Sequence, residues 1–333
     1  MRSERKDAGV LLAATTFLLA LHLVCVNVAA GGPLVGAWLD WRSRLGDVAA
    51  AKAARWLGGW SLGGLLAGAG LGVLVGWLRW DEAYRALWLG PLGYKLHWAV
   101  LEAIFSLVLI GLWWWWLPGR PAASRAGLWG RVVISVLAAT NLLYHFPPLF
   151  TVAAALRDDG AVAGTVLRGA EFRKLMVAGS TPALVVHVAL ASLAAAGAML
   201  VVLSLKWQRR GESQRAARIA VWGGRWALVP SLGQLPLGLW LLSALTPWQQ
   251  AQIMGQDAVG TLLFVGALAA AFWLVSDLSQ LAMGETRRPL LWRVVGAMGL
   301  TVLLMSGLLE AARSARRDAA PATVEHAAPG IAR

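Results

Sequence analysis

The chain has 333 residues, of which 58% are apolar and only 14% charged, and its mean hydropathy is +0.62. So low a charged share excludes a soluble enzyme and a disordered protein, and the single Cys25 excludes a disulfide framework, a covalent c-type haem and a cysteine metal cage. The net charge of +13 comes from Lys and Arg in short runs between apolar blocks, a signal of membrane topology rather than of nucleic-acid binding.

A helix needs about 20 apolar residues to cross a bilayer, and inside lipid its backbone must satisfy itself. Charge-poor blocks at 8–39, 56–78, 96–119, 132–156, 175–205, 226–248, 258–276 and 289–312 therefore predict eight transmembrane helices and an all-α polytopic fold. A cleaved signal peptide ending near Ala30 is the competing reading of the first block. Its apolar stretch runs on to Leu39, longer than a signal core, so it is taken as a span. The second block is rich in Gly and Ala, which suits close helix packing. Pro147 and Pro148 in the fourth block, and Pro230 and Pro236 in the sixth, predict kinks. The 20 tryptophans crowd block ends, and the run Trp113 to Trp116, like Trp98 beside His97, reads as interfacial anchoring. Residues 1–313 form one membrane domain, and 314–333, with His326, read as a disordered tail of Ala, Pro and charge.

Orientation follows from the connections. Those after the first, third, fifth and seventh helices carry 15 basic residues, among them Arg42, Arg131, Lys206 and Arg293. Those after the second, fourth and sixth carry seven: Arg79, Arg85, Lys95, Arg157, Arg168, Arg173 and Lys174. The richer set is expected in the cytoplasm, with both termini outside.

Polar groups within spans are costly and are functional candidates by default. They are His22, His97, Glu102, His145, His187, Glu310 and, at a helix margin, Met254. At about 1.5 Å per residue, His187 lies roughly 10 Å below the outer surface and Glu102 about 9 Å, with His97 at the rim and His22 nearest the midplane. His145, Met254 and Glu310 fall in the same outer half, and no comparable group is expected in the inner half. A one-sided set of His, Met and Glu on different helices suits haem-iron ligation, since axial ligands come from facing helices. The bland alternatives are interhelical hydrogen bonds for each histidine and a helix-end ion pair of Glu310 with Arg313.

In order and spacing these residues resemble subunit I of the cytochrome bd quinol oxidases, over residues 10–313. Leu21-His22-Leu23, Gly32-Pro33-Leu34 and the basic turn Trp41 to Asp47 look like the family's first helix, whose histidine holds an active-site haem. His187, in the helix running to Lys206-Trp207-Gln208-Arg209-Arg210, resembles the outer histidine of the low-spin haem b. Ile253-Met254-Gly255 matches the opposing methionine, and Gly307 to Arg313 matches a haem-ligating glutamate with an arginine three residues on. Asn141 to Pro147 loosely matches a further family segment.

The departures are equally specific. About ten residues, Thr246 to Gly255, stand where the family has its long quinol loop, and Gln252 replaces an expected arginine. The family's Arg-Gln-Pro-Trp sequence and ninth helix are absent. The third helix offers either His97 or Glu102 as ligand, with Ser106 near the family's second glutamate.

The resemblance implies a shortened bd-like subunit with one to three haems b, or haem d in the active site, in the bacterial inner membrane. His22, Glu102 and Glu310 would be catalytic. His22, His187, Met254 and Glu310 would hold iron, and His97, His145 and Arg313 would complete the cofactor environment. The implied partners are a second membrane subunit and a periplasmic c-type or multihaem cytochrome donating electrons in place of quinol, with no nucleic acid. Two other functions share these residues: a non-catalytic electron conduit to quinone, and a haem-free proton-coupled transporter. Reporter fusions check the orientation: one placed after Arg210 is expected to stay cytoplasmic and one after Arg157 to be exported.

Overall fold

The computed structural model describes residues 2–118, 125–158, 166–245 and 247–319. No strand occurs among them. Eight helices are long and apolar enough to cross a membrane, and each falls on one predicted block. The chain is a multi-pass membrane protein. The spanning helices are α1 (Arg2–Ser43), α2 (Val48–Leu78), α4 (Gly93–Trp116), α5 (Arg125–Asp158), α7 (Thr181–Gln208), α8 (Ser213–Ser243), α10 (Ala258–Ala282) and α11 (Arg288–Ala319). Short helices α3 (Glu82–Leu89), α6 (Gly169–Met176) and α9 (Pro247–Ala251) lie in the connections at the face opposite the basic loops. The helix expected to end near residue 313 continues to Ala319, and 320–333 lie outside the described residues.

The spans form two rings of four. In the first, α1 packs on α2, α2 on α4, α4 on α5, and α5 returns to α1. In the second, α7 packs on α8, α8 on α10, α10 on α11, and α11 returns to α7. Contacts of α1 with α7 and α11, and of α5 with α7, join the rings. This close approach depends on small residues, because association in lipid rests on backbone proximity rather than on hydrophobic burial. A Cβ on Gly31 of α1 would be driven into the Ser192 carbonyl of α7, and the Ser192 hydroxyl donates to Asn27 Oδ1 at 2.8 Å across the same crossing. The proline-containing α5 and α8 remain helical through Pro147, Pro148, Pro230 and Pro236.

Packing is uneven along the bundle axis. One buried cluster joins Val35, Leu39, Leu57, Trp113, Leu200, Trp207 and Ile219 across both rings, near the basic face. A second, of Leu205, Leu274, Leu278, Leu281, Leu291 and Val294, fills the same end of the second ring. Towards the opposite face α8 buries nothing after Pro230. Trp113 therefore departs from its expected interfacial role: it is fully buried, its ring lying where Gly36 leaves no side chain, whereas Trp115 and Trp116 are exposed. A tryptophan run is not one environment, since successive helical residues point about 100° apart.

The basic end also holds charges that were not expected there. Asp40 of α1 is 2% exposed and takes two hydrogen bonds from Arg131 of α5, from Nε at 2.7 Å and from Nη2 at 3.3 Å. Asp277 of α10 is similarly bracketed by Arg293 of α11, at 3.1 and 2.6 Å. Asp47 caps α2 and accepts from Arg218 of α8 at 2.9 Å. The expectation of no comparable group in the inner half is thus overturned. Asp40 and Asp277 sit one residue past the charge-poor blocks, which made them look like loop residues. Breaking a buried pair strands a charge at a cost of about 3–5 kcal/mol, while replacing both partners by apolar groups is nearly neutral. Arg131→Met is accordingly expected to lower the thermal unfolding temperature in detergent sharply, and Asp40→Leu in the same chain to restore it.

Candidate functional site

His22 lies on α1 against a strip of α2 that lacks side chains. A Cβ on Gly72 would come within 2.9 Å of its ring, and its Nδ1 lies 2.8 Å from the Gly68 carbonyl. A carbonyl can only accept, so Nδ1 carries the proton and Nε2 keeps its lone pair. Metal-binding histidines are oriented in the same way, with one nitrogen donating to a backbone carbonyl and the other left for the metal.

At the end of this strip, Arg79 caps α2 and forms an ion pair with Glu310 of α11. Glu310 is 5% exposed. The pair bridges the two rings. In the sequence Arg79 reads as a loop cation, and Arg313 is the arginine expected beside Glu310. The side chain of Arg313 lies outside the described residues.

Between α4 and α5 a second polar group gathers. His145 Nε2 approaches Glu102 Oε1 at 3.7 Å. The Asn141 amide donates to the Glu102 carbonyl at 3.0 Å and to the buried Ser106 hydroxyl at 2.8 Å. Asparagine thus supplies the polar scaffold that holds two expected site residues side by side. His97 stands apart from them. It is exposed, its Nδ1 is 2.9 Å from the Gly93 carbonyl of its own helix, and it lines a groove with Leu96, Val100 and Leu101. Of the two residues offered by this helix, only Glu102 meets another candidate.

His187 and Met254 occupy different surroundings. His187 is half-buried on α7, and its Nδ1 is buried without a hydrogen-bond partner. Ser306 Oγ of α11 is a second such atom in the same ring. Met254 is 62% exposed on a π-helical turn (Gln252–Gln256) ahead of α10. Gly255 adopts φ of 136°, which only glycine takes readily, and the Asp257 carboxylate caps α10 through the Gly260 N–H at 2.6 Å. The short turn therefore displays the thioether at the surface.

Among the described residues no three His, Cys, Asp or Glu side chains converge to hold a bare metal ion. The donor set suits a haem only in part. His22 offers a correctly oriented nitrogen and His187 an unpartnered one, in a half of the molecule where α8 contributes no buried side chain. Glu310 is already committed to Arg79. No protein-family model matches the chain, and no curated protein matches it significantly.

Two short helices roof this face, and sequence inspection passed over both. Tyr84, Leu87 and Trp88 of α3 and Phe172 of α6 pack on Leu149, Val152 and Ala153 of α5, and Leu167 N–H donates to the Pro91 carbonyl at 3.0 Å. The readable signal was Asp81, an N-cap followed by apolar residues spaced three and four apart. Arg79→Gln is expected to destabilise the protein by about 3 kcal/mol, the order of a broken buried pair. Adding Glu310→Gln, which removes the stranded charge, should recover most of that loss in the same thermal melt.

Proposed function

We propose that this chain is a haem-binding membrane subunit of a bd-like respiratory oxidoreductase, placed in a bacterial inner membrane and supplied with electrons by a periplasmic c-type or multihaem cytochrome. The observation that supports it most is His22, whose Nδ1 is tied to Gly68, the interhelical bond that a haem-free reading expects as well, while its Nε2 is left to coordinate. The unpartnered Nδ1 of His187 and the family order of His22, His187, Met254 and Glu310 support it further. When bound, haem supplies one-electron transfer, and oxygen chemistry where an axial position stays open.

The side chains have separable tasks in this scheme. His22, through Nε2, and His187, through its unpartnered Nδ1, would hold the haem iron. Met254, exposed on the turn ahead of α10, would mark the point of electron entry from a c-type donor. Arg79 neutralises Glu310 and ties the two rings together beside His22. Glu102 Oε1 and His145 Nε2, 3.7 Å apart on facing helices, would supply an acid and a base near the outer face. The turn at Gln252–Gln256 leaves no room for a quinol loop, so a cytochrome donor fits better than quinol. A second membrane subunit completes the assembly.

A second reading, a haem-free proton-coupled transporter, draws on the same Glu102–His145 pair, since proton carriers use intramembrane carboxylates and imidazoles. Protein purified from haem-replete cells separates the two. The pyridine haemochromogen spectrum is expected to show haem b, with less haem per chain in His22→Ala and in His187→Ala. A colourless wild-type preparation rules out the haem reading. Carbon monoxide binding to the reduced protein then distinguishes an oxidase, with an open iron, from an electron conduit whose irons are all six-coordinate.

A further inference from the structure

We propose that the basic face carries a binding pocket for a phosphate oxyanion, presented by the headgroup of an anionic phospholipid in the adjoining leaflet. The pocket is a cavity of about 220 Å³ lined by Trp38 and Arg42 of α1 and by Trp222, Arg225 and Trp226 of α8. It lies on the seam between the two rings, where the edges of Trp222 and Trp226 meet the Trp38 ring at 5.2 and 5.6 Å.

Its cations are positioned but not neutralised. The Arg42 guanidinium lies 5.4 Å from the centre of the Trp222 ring, and its Nε is buried with no hydrogen-bond partner. Arg225 is fixed by a bond from Nε to the Ala282 carbonyl at 3.2 Å, and its side chain is exposed at the rim. Among the described residues no carboxylate pairs with either. The acids closest in sequence are taken: Asp40 by Arg131 and Asp47 by Arg218. A buried donor on a charged group without an acceptor is costly, and an oxyanion is the acceptor that a planar guanidinium fits best.

Ordinary interfacial anchoring accounts for tryptophan and arginine at a membrane rim, but there the charged head points to water. Here one guanidinium nitrogen is turned inward beneath an indole. The rest of the lining is indole surface, suited to a glycerol and the upper acyl chain, and exposed Trp41 continues that surface outward. This location at the rim of the apolar bundle points to a lipid phosphodiester rather than a soluble ion as the source. The pocket shares no residue with the haem-ligand set and stands whether or not haem binds.

The test uses the full chain in detergent, with phosphatidylglycerol, phosphatidylcholine or inorganic phosphate added and bound species counted by native mass spectrometry. The wild type is expected to retain phosphatidylglycerol in preference to phosphatidylcholine, and Arg42→Gln/Arg225→Gln to bind it about tenfold more weakly, the loss of a charge-assisted hydrogen bond. Equal retention by wild type and double variant overturns the proposal. Inorganic phosphate binding alone, with the same arginine dependence, upholds the oxyanion site but assigns it a soluble source. Should the double variant not fold, Arg225→Gln alone removes the exposed rim charge, with its bond to the Ala282 carbonyl, and leaves Arg42 in place. In a folded Arg225→Gln protein, undiminished phosphatidylglycerol binding likewise overturns the proposal.

Discussion

A carboxylate cannot remain charged beside lipid unless a cation meets it, and this constraint closes one end of the bundle. Asp40 with Arg131 ties α1 to α5, Asp277 with Arg293 ties α10 to α11, and Asp47 with Arg218 ties α2 to α8. The first pair closes a ring contact within the first four spans and the second does so within the last four. The third crosses from one ring to the other. The two large apolar clusters sit at this same end, so electrostatic and packing constraints coincide there. Such pairs add little net stability compared with apolar replacements, but they penalise any register in which the partners separate. Their effect is on specificity: the helices are fixed relative to one another, most tightly at Asp40–Arg131, where both side chains are buried.

The opposite end is organised differently. The rings meet there through Arg79 and Glu310, α8 has no buried side chain after Pro230, and the ligand-capable groups concentrate. The looser packing belongs to the second ring, where α8 ends without buried side chains; the first ring stays filled by Leu65, Ile110, Leu142 and their neighbours. The roof formed by α3 and α6 on α5 completes the arrangement by shielding this end over the first ring.

The spans were legible because crossing a bilayer demands a long run of apolar residues, and no other structure satisfies the backbone there. The ring closures were not legible, since they depend on which small residues face one another: Gly31 against Ser192 is a property of the α1–α7 crossing, not of either segment alone. The ion pairs escaped for a related reason. Asp40 and Arg131 are 91 residues apart, and each on its own looks like a charge at a helix margin. Of the expected site residues, Glu102 and His145 do meet, and His22 is held by Gly68 as a ligand would be. His97 was placed by depth alone, and depth does not say which way a helix turns its side chains; this one faces an apolar surface groove.

Helix α1 connects all of these features. It carries His22 towards one face, and Asp40 and Arg42 towards the other, and it contacts α2, α5, α7 and α11. An apolar helix with so many neighbours cannot shift along its axis without breaking the Asp40 pair and the Gly31 crossing together. The position of the His22 ring against Gly68 and Gly72 is therefore set in part by contacts about 14 and 27 Å away along α1, at about 1.5 Å per residue, through the stiffness of a single helix. The same rigidity makes the Trp38–Arg42 segment a fixed wall of the basic-face pocket, so a group bound there would stabilise the seam between the rings and, through α1, the register of His22.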